Sequence, residues 1–253
     1  MMISSTPSPA SRRFKRVLLK ISGEALMGDQ GFGIKPEVVG KICDEIAAAH
    51  GLGVDIAIVV GGGNIFRGVQ NSTALGMDRA SADYVGMTAT IMNALVVTGV
   101  LKNKNIDTRT MTAIGMDKVA EPYIRLRAVR HLEKGRVVIF GGGTGNPFFS
   151  TDTTSALRAA EIGADVILMA KNGVDGVYDS DPKTNPNAQK YDRLTYDDVL
   201  MQNLKVMDQT AISLCKETNL PIIVFDFNAP NAITRLIQHE VLGTVVANES
   251  WQG

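Results

Sequence analysis

The stretch VVIFGGGTGNPFFSTDTTSA, residues 137–156, combines an apolar run, a glycine turn and a helix start. Residues 137–140 are all apolar and predict a buried strand. Glycines then occupy four of the next five positions, and a turn without side chains lets backbone N–H groups approach an anion. Residues 150–154 supply helix caps and hydroxyl groups where the helix dipole favours negative charge. This order predicts a phosphate-binding turn, although a glycine-rich connection with an ordinary cap has the same pattern.

A second stretch of the same design lies earlier in the chain. Asp55–Val60 predicts a strand, which is followed by Gly61, Gly62 and Gly63 and, a little later, by Arg67. Parallel α/β sheets bind ligands at the carboxyl ends of their strands. We therefore expect the two glycine turns to contribute to one phosphate site.

A lysine interrupts the first predicted strand. Residues 17–21 form a short apolar run broken only by Lys20, and the run leads directly into Ser22 and Gly23. Burying a lysine is costly unless an anion receives its charge. Lys20 is therefore a candidate phosphate ligand, and the alternative is a lysine at a strand end that reaches out to water.

Apolar runs and helical spacing alternate along the rest of the chain. Further strands are predicted at residues 108–111, 166–170, 222–227 and 244–247, and helices at 80–101, 128–134, 196–201, 208–218 and 232–238, with another opening at Pro36. This order predicts an α/β fold, a three-layer αβα sandwich around a central, mainly parallel sheet. No Pro/Ser-rich linker divides the chain internally, so we expect one domain over residues 16–253, preceded by a disordered tail at 1–15.

The helix at 80–101 carries an apolar stripe, which we place on Tyr84, Met87, Ile91, Leu95 and Val96. Asp83 falls outside this stripe, where an exposed carboxylate is the simple interpretation. A basic cluster, Arg125, Arg127, Arg130 and His131, is interpreted as a solvated face rather than an effector site.

Composition excludes several classes of function. The 253 residues include 26 basic and 26 acidic side chains, so a nucleic-acid binder, which needs a basic excess or face, is not expected. No uninterrupted apolar run is long enough for a membrane span, and the Ser- and Pro-rich start fits a tail better than a transit peptide or secretory signal. Cys43 and Cys215 are far apart and predict buried thiols in a reducing compartment, so we expect a cytoplasmic protein.

Common catalytic motifs are missing. The chain has no GxxxxGK[ST], no complete GxGxxG, no HExxH, no GxSxG and no Cys/His cluster, so we predict no metal held by protein ligands alone. Glycine turns, cations and acids remain, and no covalent nucleophile is evident. Such a set suits phosphoryl transfer, which depends on positioning and on charge neutralisation by amides, cations and Mg²⁺ brought by ATP.

Six motifs in order resemble the bacterial uridylate (UMP) kinases, a branch of the amino acid kinase family with a fold unrelated to P-loop kinases. The motifs are KISGEAL from Lys20, GGGNIFRG from Gly61, DYVGM from Asp83, GTGNPFF from Gly143, VDGVY with Asp181-Pro182, and KVMD ending at Asp208. The resemblance covers the chain from about residue 16 to 247. GTGNPFF in particular separates this branch from relatives that phosphorylate carboxylates or carbamate.

The resemblance implies a role for each matching residue. The ATP site would comprise Lys20, Ile21, Ser22, Gly23, Gly63, Arg67, Asn172, Tyr178 and Asp181. The UMP site would comprise Gly62, Asp83, Thr144, Gly145, Asn146, Pro147, Phe148, Phe149, Ser150 and Thr151, with Pro147 to Phe149 as a wall around uracil. Lys20 would neutralise the transferring phosphoryl group, and Asp208 would orient the lysines around it. The role of Asp152 stays open.

Two sets of positions depart from the family pattern. Relatives often carry a second lysine at the end of the strand at 166–170, whereas here Lys171 stands just past it. Activation by GTP and inhibition by UTP are usual in the family, and the candidate effector positions are Gly28, Asp29, Gln30, Gly31, Phe32, Gly33, Arg109 and Arg136. Thr98 and Lys102, however, replace the arginine and histidine that accompany the two arginines in some relatives.

The resemblance thus implies transfer of the ATP γ-phosphate to UMP, with Mg²⁺ bound to ATP, in a homohexamer. The helix at 80–101 is expected to form part of an interface, because its apolar content exceeds one core-facing stripe. The alternatives are another small-molecule kinase of the family, acting on aspartate, glutamate, acetylglutamate or carbamate, and a non-catalytic nucleotide-binding storage protein of the same fold. The uracil-side motif disfavours the first, and the presence of Lys20 and Asp208 disfavours the second.

Overall fold

The computed structural model describes residues 13–67, 75–240 and 242–252. A central sheet lies between two layers of helices. Its strands are β1 (Arg16–Ile21), β2 (Asp55–Val60), β3 (Thr108–Thr112), β4 (Glu121–Pro122), β5 (Val137–Gly141), β6 (Val166–Lys171), β9 (Arg193–Leu194), β10 (Ile222–Asp226) and β11 (Thr244–Val246), and β7 (Val177–Tyr178) and β8 (Lys190–Tyr191) form a separate hairpin. The helices are α1 (Gly23–Met27), α2 (Pro36–Gly51), α3 (Arg79–Asn103), α4 (Arg125–Glu133), α5 (Thr151–Ile162), α6 (Tyr196–Met201), α7 (Gln209–Thr218) and α8 (Ala232–Ile237).

The strand order is β4-β3-β5-β2-β1-β6-β10-β11-β9, with β1 at the centre. All the pairings in this sheet are parallel except β10 with β11. The carboxyl ends of β1, β2, β5 and β6 therefore point the same way and bring the sequence that follows each strand to one end of the sheet. The predicted mainly parallel α/β sandwich is confirmed.

Alternation along the strands builds two cores. In β1, Val17, Leu19 and Ile21 pack with α2, α3 and α8, whereas Leu18 packs with α4, α5, α6 and α7 on the opposite face. Successive side chains of a strand point to opposite faces, so Lys20 shares the face of Leu18 and lies on the side of α5.

Several elements differ in detail from their predictions. The predicted strand at 244–247 (β11) is antiparallel to β10, and β9 is parallel to β11, so these two strands run against the rest of the mainly parallel sheet. Helix α4 was predicted at 128–134 and runs from Arg125 to Glu133, because its first turn is too basic to reveal a start by hydrophobic spacing. The two-residue strands β4, β7, β8 and β9 are too short for a periodic signal.

The apolar stripe predicted for α3 is confirmed only in part. Met87 and Ile91 lie on the buried face, which continues through Ala94, Val97 and Leu101, whereas Tyr84 is 47% exposed and Leu95 and Val96 are only partly buried. An 18-residue window of α3 has mean hydropathy 1.6, which by length and composition would allow a membrane span, and half of that window is buried inside the fold. Since α3 packs on β2, β3 and β5, its apolar content is that of a core helix.

The start of the chain is ordered earlier than expected. Residues 1–12 of the predicted tail lie outside the described residues. Phe14, which was assigned to that tail, is 4% exposed, and the Arg13 N–H donates to Ile237 O at 2.9 Å. The boundary at residue 16 was therefore placed too late, because a single aromatic between basic residues gives no periodic signal. One domain over residues 16–253 stays a prediction.

Candidate functional site

An ion pair between Lys20 and Asp152 lies at the carboxyl end of β1. Lys20 is 8% exposed, and its Nζ lies 2.8 Å from Asp152 Oδ1 in the first turn of α5. Oδ1 is buried, and it takes no hydrogen bond of good geometry from any described residue. The pair is thus held by charge and not by a directed bond. Lys20 does not reach out to water, so the strand-end alternative is wrong.

Lys171 brings a second cation to the same place. It ends β6, the strand beside β1, and its Nζ donates to Val206 O at 3.0 Å. Burial lowers the pKa of Lys171, the charge of Lys20 lowers it further, and Asp152 opposes both effects. Two lysines and one carboxylate therefore interact electrostatically, as expected where an anion of higher charge is to bind.

Asp208 joins two helix starts. It caps α7 by accepting from the Ala211 N–H at 2.8 Å, and it also accepts from Thr153 Oγ1 at 3.0 Å and from Ser150 Oγ. Ser150 in turn caps α5. These are the hydrogen bonds that the Asp208 carboxylate makes within the described residues, so the acid that pairs with Lys20 is Asp152 and not Asp208. At the N-cap of a helix, a carboxylate accepts hydrogen bonds from the free backbone N–H groups of the first turn.

The turns after β1 and β2 are in contact. A Cβ on Gly23, at the start of α1, would lie 2.7 Å from the Gly63 nitrogen and 2.9 Å from Gly61 O, so only glycine fits there. Ser22 caps α1 and accepts from the Ala25 N–H. The predicted convergence of Ser22, Gly23 and Gly63 beside Ile21 and Lys20 is therefore present in the geometry.

A cavity of about 250 Å³ lies beside the glycine turns. Its lining includes predicted residues from both halves of the proposed site, namely Gly62, Gly63, Arg67, Asp83, Phe149, Ser150 and Thr151. Arg67 pairs with Glu24 at 2.8 Å and donates to Gly63 O at 3.2 Å. Sequence reasoning did not assign Phe66, Gly86, Met87 or Thr90 to a site, whereas Gly143, also in this lining, belongs to the predicted phosphate-binding turn. Asp83, Met87 and Thr90 share one face of α3 by helical spacing, but Met87 was assigned to the core and Asp83 to the exposed side, so the shared face was not recognised.

The two phenylalanines of the NPFF segment, residues 146–149, lie in different surroundings. Phe149 lines the cavity, whereas Phe148 is 67% exposed, has φ +71° and lies next to Arg79. Asp83 Oδ2 accepts from the Phe148 N–H at 2.8 Å, and Arg79 Nε donates to the same carboxylate at 2.8 Å. Asp83 is therefore a partly buried, hydrogen-bonded group rather than the free exposed carboxylate of the simple interpretation.

The predicted UMP-site residues at 144–147 lie outside the cavity lining. Thr144 Oγ1 donates to Asn146 O at 3.2 Å, which closes the turn locally, and Gly145 (φ +86°) approaches Ala113 O. Thr144, Gly145, Asn146, Pro147 and Phe148 are not among the cavity residues. The expected wall of Pro147, Phe148 and Phe149 is thus reduced to Phe149 in this geometry.

A second cavity, of about 340 Å³, lies beyond Lys171. It is lined by Lys171, Tyr178 and Asp181 together with Gly176, Leu204 and Lys205. Tyr178 OH donates to Asp175 Oδ1 at 2.6 Å, and this bond raises the pKa of Tyr178. Asn172 is not part of the lining and accepts from Asn228 Nδ2 at 2.9 Å instead. The structure therefore brings together two of the three predicted residues for adenine and ribose.

The candidate effector residues occupy two separate places. Arg109 lines a cavity of about 440 Å³ with Thr98 and Lys102, and it shares the carboxylate of Asp107 with Arg136, which donates to it at 2.7 Å. Partial burial raises the pKa of Asp107, but Arg136 and Arg109 outweigh it, so the pKa lies below its usual value. No residue of the 28–33 loop lines this cavity; Gly33 bonds to Asn64 instead. Arg125, Arg127 and Arg130 are exposed, as predicted for a solvated face, whereas His131, the fourth member of that cluster, is partly buried between Glu121 and Arg136.

The acids of the site do not form a metal cage. Within the described ranges no group of three His, Cys, Asp or Glu side chains is placed to hold an ion. Asp152 faces Lys20, and Asp208 is occupied by hydroxyl and backbone donors. With these carboxylates already paired, an Mg²⁺ ion at this site would be held mainly by nucleotide phosphate oxygens and water, and Mg²⁺ commonly keeps several water ligands.

Known proteins of this architecture were compared with the chain. Residues 15–226 match the amino acid kinase family model. The UMP kinase from Bacillus anthracis is 48% identical with a TM-score of 0.92, covering 94% of this chain and 98% of that one. The UMP kinase from Ureaplasma parvum is 42% identical (TM-score 0.87, 93% and 99% covered), and the uridylate kinase from Archaeoglobus fulgidus is 28% identical (0.71, 91% and 99%). From its strand order, its glycine turns and these matches, the chain belongs to the amino acid kinase family.

Proposed function

We propose that this kinase transfers the γ-phosphoryl group of ATP to UMP and produces ADP and UDP. One observation carries the proposal. The cavity with Gly62, Asp83 and Phe149 and the cavity with Lys171 and Tyr178 lie beside the exits of β2 and β6. The strand between β2 and β6 is β1, whose Lys20 points into the site. Two nucleotide-sized spaces with a buried cation between them suit transfer from one nucleotide to another.

The reaction is a direct in-line displacement. An oxygen of the UMP α-phosphate forms a bond to the γ-phosphorus, the bond from that phosphorus to the β,γ-bridging oxygen breaks, and ADP leaves with the electron pair. Lys20 and Lys171 would neutralise the charge of the three equatorial oxygens, as cations do in phosphoryl transfer. Mg²⁺ bound to ATP would supply further positive charge at the phosphates.

Asp152 would hold Lys20 in place until substrate binds. A lysine ammonium is a point charge with rotatable donors, so it can turn from a carboxylate to a phosphate oxygen. Asp152 would then be released from Lys20. It would still interact with Lys171, where its charge opposes the lowering of the Lys171 pKa. Asp208 would act through structure, since it holds the starts of α5 and α7 in register.

The first test is a nucleotide panel with the full-length protein. UMP should be phosphorylated at least tenfold faster, by kcat/KM, than CMP or dTMP, with ATP and Mg²⁺ present. Equal rates for these acceptors, or turnover of acetylglutamate or carbamate but not UMP, would overturn the proposal. Tight ATP binding without turnover of any acceptor would indicate a storage protein.

We further propose that GTP activates and UTP inhibits the enzyme. The 440 Å³ cavity is lined by three cations, Arg109, Lys102 and Lys118, against two acids, Asp117 and Glu121, and this small positive excess suits a nucleotide phosphate. A titration of the initial rate with GTP, at subsaturating UMP, should show an increase that is lost in Arg109→Ala. A flat GTP titration of the wild-type protein would contradict this part.

We also propose a homohexamer in the cytoplasm. Helix α3 exposes Tyr84, Val85 and Met92 on the face opposite its core side, and such an apolar face favours contact with another copy. Multi-angle light scattering should give six times the chain mass, and fractionation should leave the protein in the soluble part of the cell. A monomer at working concentration would rule out the assembly.

A further inference from the structure

Two buried asparagines hold the turn after β2 from behind. Asn64 and Asn93 are 1% and 0% exposed, and their amides bond to each other. Asn93 Nδ2 donates to Asn64 Oδ1 at 2.7 Å, and Asn64 Nδ2 donates to Asn93 Oδ1 at 3.2 Å. Each amide nitrogen also makes one outward bond, so all four amide hydrogens of the pair have acceptors.

The outward bonds reach two different segments. Asn93 Nδ2 donates to Gly61 O at 2.7 Å, at the first residue of the glycine turn. Asn64 Nδ2 donates to Gly33 O at 2.9 Å, and the Gly33 N–H donates back to Asn64 O at 2.8 Å. The pair thus ties three parts of the chain together: the turn, helix α3 and the end of the 28–33 loop.

The turn that is held in this way contributes Gly62 and Gly63 to the 250 Å³ cavity. Gly61 is fixed by Asn93 on one side, and Asn64 follows Gly63 on the other. Gly62 has no room to move toward α3, because a Cβ there would lie 2.8 Å from Gly86 O. Neither asparagine lines the cavity, so neither would touch a bound nucleotide in this geometry.

We propose that the Asn64–Asn93 pair is a positioning element that sets the Gly61–Gly63 backbone for acceptor binding and links it to the 28–33 loop. Fully bonded buried polar networks specify one arrangement of their neighbours, whereas a partly broken one leaves several. A shift of about 1 Å in a substrate-positioning group can cost about 100-fold in rate. The kinetic part of this proposal rests on the proposed UMP kinase activity.

The test compares Asn64→Ala, Asn93→Ala and the double variant with Tyr196→Phe. The control also removes a buried side-chain-to-backbone bond, from Tyr196 OH to Leu220 O at 2.6 Å, but at the opposite end of the sheet. We expect each asparagine variant to lower kcat/KM for UMP by about 10- to 100-fold, mainly through a higher KM. Because the two amides share their bonds, the double variant should lose little more than the worse single variant.

Hydrogen exchange provides a readout that needs no activity. Peptides covering residues 28–35 and 58–66 should exchange faster in each asparagine variant than in the wild type, and they should be unchanged in Tyr196→Phe. If Asn93→Ala does not fold, the similarly branched Asn93→Leu, which removes the donor to Gly61 O without creating a cavity or burying a charge, replaces it in both measurements.

Three outcomes would overturn the inference. These are an unchanged KM for UMP with only a smaller active fraction, losses that multiply in the double variant, and unchanged exchange in both peptides. If the wild-type protein does not phosphorylate UMP, the proposed function fails, while the exchange comparison still decides whether the pair holds the turn.

Discussion

The two ends of strand β1 carry two cation–carboxylate pairs of similar length and burial, and the pairs differ in how they are held. At the start of the strand, Arg16 bonds Asp55 Oδ2 through Nε at 3.1 Å and Nη2 at 2.9 Å, and it also donates through Nη1 to Ile162 O. At the other end, Lys20 faces Asp152 at 2.8 Å without a well-aligned bond.

The surroundings of the two pairs differ in the same sense. Near Arg16, Asp165 Oδ2 accepts from the N–H groups of Lys15 and Arg16 at 2.7 and 2.8 Å. The polar groups at that end are thus used within the protein. Near Lys20, glycine turns border open cavities and a second lysine has a lowered pKa. The fork of an arginine fixes structure, whereas a lysine point charge can exchange partners, so only the second end is suited to binding an anion.

The largest difference in kcat between variants at the two ends of β1 is expected from Lys20→Met. Loss of the charge at the transfer point should lower kcat by about 100- to 1,000-fold, which is the cost of removing one group that stabilises developing charge. Steady-state kinetics with saturating ATP and UMP measures this. Arg16→Lys is the matched control at the other end, and its kcat should stay within twofold. A Lys20→Met variant with near wild-type kcat would refute the assignment of the two ends.

Arg16→Leu is expected to lower the free energy of unfolding without changing kcat. Removing the guanidinium leaves Asp55 and Ile162 O without their donors, and breaking a buried pair in this way costs about 3 kcal/mol of unfolding free energy. Urea unfolding followed by circular dichroism measures the loss. The kcat of the folded fraction should not change. A variant as stable as the wild type would show that this pair does not carry the structural role.

Lys171→Met separates activity from stability as a function of pH. We expect kcat to fall about 10- to 100-fold. The pKa of Lys171 lies below 10.5 in the folded protein, so between that lowered value and 10.5 the unfolded chain binds more protons and wild-type stability rises with pH. The stability difference between wild type and variant should therefore shift in favour of the wild type from pH 7 to 10, as measured by urea unfolding. A constant difference would contradict the lowered pKa.

The smallest contrast lies within the NPFF segment. Phe149→Ala should raise the KM for UMP about tenfold, since an aromatic wall contributes about 1 kcal/mol or more to binding. Phe148→Ala should change that KM less than twofold, because its ring lies outside the cavity. Steady-state kinetics with varied UMP at saturating ATP compares the two KM values directly. Equal losses would show that both rings contact the base.

The sequence predicted the parallel core well because its signals are local. The strand at Asp55–Val60 and the helix at Tyr196–Met201 were predicted with the observed bounds, since apolar runs and caps mark them. Strand direction has no such mark, so the antiparallel β11 was not foreseen. The buried face of α3 was predicted only in part for a different reason: Tyr84 and Met92 are apolar and exposed, which blurs the periodic signal.

For the candidate site, the glycine turns and Lys20 were predictable because their residue types are costly or unusual where they stand. The partner of Lys20 was not, since Asp152 and Asp208 are both acids near helix starts and only the fold decides which one reaches the lysine. The Asn64–Asn93 pair was missed as well. Two amides separated by 28 residues of sequence give no pattern until the turn and α3 meet.

The central position of β1 also has a consequence for how the chain folds during synthesis. Val17 pairs with Ile56 on one side and with Val166 on the other, so β1 acquires its second neighbour only after most of the chain has been made. Until then one row of backbone N–H and C=O groups in the middle of the future sheet stays open, and such an edge can pair with another chain. Pairing over this sequence distance also slows folding. A fragment that ends before β6 should therefore aggregate, and the full chain should depend on chaperones more than a helical protein of equal length.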